Sequence, residues 1–111
     1  MVRVGIDVVE VARLRGLVER RGARALERLF TPRELERAAQ AKAPRSWERL
    51  AARFAAKEAF IKALGRPVPF RELEVTFRGP KPYLTWRGRD YPLSLSHTRQ
   101  LAVAVVVIEE D

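Results

Sequence analysis

The sequence predicts an α+β fold in which three helices and a mainly antiparallel sheet make up the chain, and three observations carry that reading. Apolar and polar residues alternate at period two from Val2 to Asp7. Between Val11 and Leu64 the apolar residues instead recur at three, four and seven. Period two then returns after Pro69 and runs through Ile108. A strand, a group of helices and a run of strands argue against the regular alternation of a parallel doubly wound sheet.

In the first strand Val2, Val4 and Ile6 share one face, so Asp7 leaves it on the opposite face. Val11, Leu14, Val18, Ala25 and Leu29 mark an amphipathic helix over Val11 to Leu29, with Gly16 and Gly22 as weak points. Thr31, Pro32 and Glu34 read as N-cap, N1 proline and capping-box glutamate of a second helix that runs to about Lys42. Ser46 is placed to cap a long helix from Trp47 to Leu64, which Gly65 ends. The rest reads as a β-meander: Leu73 to Arg78, Tyr83 to Arg87, Tyr91 to Ser96 and Leu101 to Ile108, with Gly79-Pro80 and Gly88-Arg89-Asp90 between strands.

At 111 residues and 47% apolar composition, the chain is expected to form one domain over residues 1–111. A core of that size leaves room for help from neighbouring subunits. The formal charge of +8 favours partners that carry phosphates or clustered carboxylates. Eighteen of the 22 cationic residues are arginines, which suit bidentate contacts to such groups. The absence of cysteine excludes disulfides and thiolate chemistry, and with a single histidine a structural zinc site is improbable. No signal peptide is legible in the first residues, and the most apolar segment, Leu101 to Ile108, is too short for a membrane helix. A cytoplasmic protein without membrane partners is the expectation.

The chemistry concentrates on a few residues. Trp47, Leu50, Ala51, Phe54, Ala55 and Ile61 form a stripe on the long helix, and Glu58 falls inside it. A carboxylate there needs a cation, a metal, donors or water; the simplest partner is Lys62 at i+4. Arg53 and Lys57 make a like-charged i,i+4 pair that either relaxes around a bound phosphate or diverges into solvent. Asp7 and Glu58 could together hold Mg²⁺, although Asp7 equally suits a turn cap. His97, at the end of the Tyr91 strand, reads as a ribose-phosphate contact or as an ordinary turn residue. On the first helix Arg13, Arg20 and Arg24 surround Leu17, a basic face with an apolar centre that fits an acidic partner helix or a phosphate backbone.

Four blocks carry a recognisable pattern: Val4-Gly5-Ile6-Asp7-Val8-Val9-Glu10-Val11 with Arg13-Leu14; Phe30-Thr31-Pro32-Arg33-Glu34-Leu35; Arg53-Phe54-Ala55-Ala56-Lys57-Glu58-Ala59 with Lys62-Ala63-Leu64-Gly65; and Leu95-Ser96-His97-Thr98. Together they closely resemble the holo-acyl-carrier-protein synthases, the small trimeric 4′-phosphopantetheinyl transferases. The resemblance implies a Mg²⁺-dependent enzyme that moves phosphopantetheine from coenzyme A to a serine of apo acyl carrier protein in fatty acid biosynthesis. It further implies a homotrimer with coenzyme A between subunits. Asp7 and Glu58 would hold the metal, and Lys62 would act on the leaving phosphate. Arg53, Lys62, Gly65, His97 and Thr98 would contact coenzyme A, and Arg13, Leu17, Arg20 and Arg24 would dock the carrier. Two stretches depart from the family pattern: Gly65 to Pro69 is shortened, and Gly79 to Pro82 has an extra proline. The rival reading, a basic nucleic-acid-binding module, has no RNP-type strand, zinc-finger spacing or KH-type loop behind it.

Overall fold

In the computed structural model, which describes residues 1–110, all five predicted strands stand close to their predicted places; Asp111, the last residue of the predicted domain, lies outside the described residues. Strand β1 (Val2–Glu10) leads into helices α1 (Val11–Arg21), α2 (Ala23–Leu29), α3 (Pro32–Ala38) and α4 (Arg45–Leu64). A short 3₁₀ turn (Phe70–Glu72) then precedes β2 (Glu74–Arg78), β3 (Lys81–Trp86), β4 (Arg89–His97) and β5 (Leu101–Glu109). The five strands form one antiparallel sheet in the order β1-β5-β4-β3-β2, so the predicted meander holds and β1 closes its edge against β5.

Four helices stand where three were predicted. The single helix expected from Val11 to Leu29 breaks at Gly22, whose φ of 83° and ψ of −174° no helix can contain. The Gly22 amide still bonds to the Val18 carbonyl at 2.7 Å, which closes α1 cleanly. Helix α3 has the predicted capping box, with the Thr31 amide 2.9 Å from Glu34 Oε1 and the Glu34 amide 3.3 Å from Thr31 Oγ1, but it ends at Ala38 rather than near Lys42. Helix α4 begins at Arg45 with Pro44 at its cap and no side-chain cap bond, so Ser46 lies inside the first turn and does not cap. Gly65 ends α4 in the left-handed region, as predicted.

Helix α4 lies across β1 and β5 and supplies the centre of the core. Ala51, Ala55, Ala56, Ala59 and Phe60 are fully buried, and Phe60 packs edge-on against Trp86 and Tyr91. The buried surface of α4 is much wider than the predicted stripe and includes Arg53 and Lys57.

Two packing facts set up everything that follows. First, the face of β1 that α4 covers is the Gly5, Asp7, Val9 face, while Val2, Val4, Ile6 and Val8 remain 56–62% exposed. Across the ladder Val4, Ile6 and Val8 sit opposite Val107, Val105 and Val103, so the outer side of the sheet edge is continuously apolar. Second, the like-charged pair Arg53 and Lys57 does not diverge into water: both are buried, and Lys57 turns wholly inward. Lys57 is fully buried, donating to Glu34 Oε1 at 2.6 Å and to the carbonyls of Leu29 and Phe70 at 2.8 and 3.2 Å. Glu34 Oε2 accepts from the Val75 amide at 2.8 Å. One ion pair thereby ties α3, α4, β2 and the 3₁₀ turn together. Burial pushes the Lys57 ammonium below its ordinary value, and Glu34 pulls it back up.

Candidate active site

Backbone contact between β1 and α4 creates the first part of the site. A Cβ on Gly5 would stand 1.8 Å from the Ala59 carbonyl oxygen and 3.0 Å from the Ala63 amide, so only glycine lets the strand lie this close to the helix. Two residues further along the same strand face, Asp7 comes over α4 one residue before Ala59, beside Glu58. Asp7 and Glu58 line one cavity of about 450 Å³ with Arg13, Leu14, Leu17, Arg20 and Phe54.

The two carboxylates also act on one another electrostatically. Burial raises the Glu58 carboxyl above its ordinary value, the Asp7 charge raises it further, and Lys62 opposes both. Lys62 does not pair with Glu58 through i+4 as the simplest sequence reading had it. Its Nζ donates to Asp7 Oδ1 at 2.9 Å and to the Ile6 carbonyl at 3.1 Å. That hydrogen bond, with the Asp7 charge, raises the Lys62 ammonium. Asp7 is largely enclosed, at 15% exposure, whereas the Lys62 side chain is 56% exposed. Asp7 is therefore not a turn cap; its side-chain partner is Lys62 of α4, and its cavity lies between β1, α1 and α4.

The remaining predicted residues divide over the surface. Arg13 and Arg20 turn from α1 toward the carboxylate cavity. The break at Gly22 carries Arg24 away to a neighbouring groove with Arg21 and Arg28, and Leu17 lines both. The predicted basic face thus has two parts joined by Leu17. Arg53 and His97 line a different, strongly basic cavity of about 400 Å³ with Arg37, Arg49, Phe77 and Pro82. Arg37 and Arg53 both stack on the Phe77 ring, at 4.6 and 5.4 Å. Burial lowers the Arg53 guanidinium from its ordinary value, with Glu34 opposing and Arg37 and Arg49 reinforcing. His97 Nδ1 lies 3.0 Å from Glu48 Oε1. Thr98 Oγ1 accepts from the amides of Gln100 and Leu101 at 3.2 and 3.1 Å and so shapes the β4–β5 turn. Gly65 is exposed at the end of α4.

Sequence reasoning missed Glu48 and the Glu34–Lys57 pair as parts of the site's support. Glu34 was visible only as a capping residue, and nothing in its spacing from Lys57 announces a contact across 23 residues. Glu48, in the first turn of α4, carries in the sequence only the signal of an acid near the positive end of the helix dipole.

A helix laid across the edge of an antiparallel sheet, with two carboxylates in the cavity beside it, is the frame to compare with known proteins. Residues 3–106 match the family model described as the 4′-phosphopantetheinyl transferase superfamily. The chain is 45% identical over 116 residues to the holo-acyl-carrier-protein synthase of Geobacillus kaustophilus, covering 98% of this chain and 89% of that protein. Among solved structures, a holo-acyl-carrier-protein synthase from Bacillus anthracis in complex with CoA (3′,5′-ADP) superposes with a TM-score of 0.84 at 35% identity, covering 98% of this chain and 96% of that one. The Helicobacter pylori holo-acyl-carrier-protein synthase in complex with coenzyme A gives 0.80 at 28% identity, covering 93% and 96%. The chain belongs to the 4′-phosphopantetheinyl transferase superfamily and, within it, to the holo-acyl-carrier-protein synthases.

Proposed function

We propose that the chain transfers the 4′-phosphopantetheine group from coenzyme A to a serine of apo acyl carrier protein, releasing 3′,5′-ADP, in fatty acid biosynthesis. The single observation that carries this reading is the pairing of Asp7 with Glu58 in one cavity, on a chain whose relatives are synthases crystallised with coenzyme A.

The donor set fits Mg²⁺. Two carboxylates that repel one another favour a shared hard cation, and among the described residues no third His, Cys, Asp or Glu joins them to close a cage. Such a pair suits an ion that keeps water and substrate phosphate oxygens in its remaining positions. When bound, Mg²⁺ supplies charge neutralisation to the pyrophosphate as the phosphorus–oxygen bond to 3′,5′-ADP lengthens.

The chain's own residues do the rest. Asp7 and Glu58 would hold the Mg²⁺ that the diphosphate meets. Lys62, exposed at the cavity edge and hydrogen-bonded to Asp7, stabilises or protonates the departing phosphate oxygen. The carrier serine Oγ attacks the phosphorus that bears the pantetheine arm, and its proton passes to Asp7 or to water held beside it. Arg13, Leu17 and Arg20 border the same cavity, and Arg24 extends their basic surface, so an acidic carrier helix docked there brings its serine to the carboxylates. Arg53, Gly65, His97 and Thr98 serve coenzyme A itself.

The exposed valines and isoleucine of β1, continuous with Val103, Val105 and Val107, are the surface on which a homotrimer assembles. Coenzyme A then lies between subunits, where the basic cavity of one chain meets the carboxylate cavity of its neighbour. The protein acts as a single domain in the cytoplasm, and among the described residues no helix is long and apolar enough to cross a membrane.

The test is chromatography of 3′,5′-ADP released from coenzyme A. Release that requires both Mg²⁺ and apo carrier protein is the expected result. Release without carrier, or none with it, refutes the assignment.

A further inference from the structure

The ammonium of Lys62 reaches from α4 to β1. Its Nζ donates to Asp7 Oδ1 at 2.9 Å and to the Ile6 carbonyl at 3.1 Å, so two of its three protons are committed. Asp7 is the enclosed partner, at 15% exposure, and Lys62 is the exposed one, at 56%. The other carboxylate that acts on Lys62 is Glu58, one helical turn before it.

The two carboxylates suited to a divalent cation are therefore the same two that hold the Lys62 charge. Any cation that takes Asp7 as a ligand meets this ammonium on the same carboxylate, well inside a Debye length, where salt does little to screen the repulsion. A side chain as exposed as Lys62 is held weakly by its ion pair and can swing out. Once out, it has lost Asp7 and the Ile6 carbonyl, and Glu58 is committed to the cation. Only water or an added anion can replace them.

We propose, on the coenzyme A reading given above, that Lys62 is a rival of the divalent cation for Asp7. Coenzyme A ends the rivalry by offering the ammonium a phosphate oxygen in place of Asp7. Divalent cation and coenzyme A thereby bind cooperatively, and one side chain carries a measurable part of that coupling.

Titration of the full-length wild type, Lys62→Met and Arg20→Gln with Mn²⁺, with and without coenzyme A, tests this, free Mn²⁺ being read by electron paramagnetic resonance. Lys62 is exposed, so methionine removes the charge and leaves the core intact. Arg20 lines the carboxylate cavity and, among the described residues, makes no salt bridge to Asp7, so its loss reports the general effect of removing one positive charge. Without coenzyme A, Lys62→Met should bind Mn²⁺ at least about fivefold more tightly than wild type, and Arg20→Gln should stay within about twofold of it. Coenzyme A should tighten Mn²⁺ binding in the wild type, and by a factor at least about fivefold smaller in Lys62→Met. Unchanged Mn²⁺ binding by Lys62→Met overturns the rivalry. Weaker binding overturns it too and makes Lys62 a support for Asp7, and an equal gain in Arg20→Gln reduces the effect to net charge. In each of these cases a wild type that binds Mn²⁺ with coenzyme A leaves the functional reading standing. A wild type that binds no Mn²⁺ even with coenzyme A overturns both.

Discussion

Substituting Gly5→Ala perturbs the account where fold and chemistry meet. The added Cβ would stand 1.8 Å from the Ala59 carbonyl oxygen and 2.8 Å from its carbon, against ordinary contact at 3.4 Å or more. Backbone atoms on both sides leave no side chain to swing aside, so β1 and α4 must separate by about 1.5 Å or the sheet edge must tilt. Overpacking of this kind costs about 1–3 kcal/mol, and for a chain of this length that lowers Tm by about 4–15 °C. Asp7 is two residues from the wedge on the same face of β1, and Glu58 adjoins the clashing carbonyl. Displacing reacting groups by about 1 Å costs on the order of 100-fold in rate, so kcat/KM for coenzyme A-dependent transfer should fall about 100-fold at a temperature where the variant remains folded. Circular dichroism melting and an intact-mass assay of the carrier read the two effects separately. A variant with unchanged Tm and activity within twofold of wild type would refute the claim that strand and helix touch backbone to backbone.

Three other predictions follow from the same geometry. Lys57→Met leaves the Glu34 carboxylate buried without its cation, and should cost about 3–5 kcal/mol in denaturant unfolding at fixed protomer concentration; a loss under about 1 kcal/mol would contradict the described ion pair. Because the folded protein raises the Glu58 carboxyl, its contribution to stability is present below the ordinary carboxylate pKa and is lost as pH rises through the raised value. Without divalent ions, Glu58→Gln should therefore match wild-type Tm in acid and exceed it near neutrality, and a lower Tm near neutrality would count against the crowded carboxylate pair. Ile6→Glu places a charge in the exposed apolar face of β1, where each aliphatic side chain is worth about 1.5–3 kcal/mol when buried, and should reduce the proposed trimer to monomers in sedimentation; a variant that still sediments as a trimer would move the proposed interface elsewhere.

Local patterns made much of this legible in the sequence. Period two gave all five strands, and the Thr31-Pro32-Glu34 signature placed the start of α3 because capping is a contact among neighbours. The side of β1 bearing Asp7 was legible too, since alternation fixes which residues share a face. Alternation does not say which face the rest of the chain covers: in β1 it is the face of Gly5 and Asp7 that packs inward, and the valines that look like core are left outside. The break at Gly22 depends on one left-handed residue between two stretches of good helical pattern, so periodicity runs straight through it. Lys57 was misplaced for a different reason. A charged side chain is buried only when partners arrive from elsewhere in the chain, and Glu34, Leu29 and Phe70 are brought to Lys57 by tertiary structure alone. The same holds for His97 and Glu48, 49 residues apart.

Asp7 and Glu58 come together where β1 and α4 meet, and in the proposed function they would hold the Mg²⁺ on which phosphopantetheine transfer depends. Intact mass spectrometry of apo acyl carrier protein after incubation with the chain, coenzyme A and Mg²⁺ tests it most directly. The expected result is a gain of one phosphopantetheine group with the wild type and none with a folded Glu58→Ala variant. An unmodified carrier with the wild type, or full modification by Glu58→Ala, would contradict it.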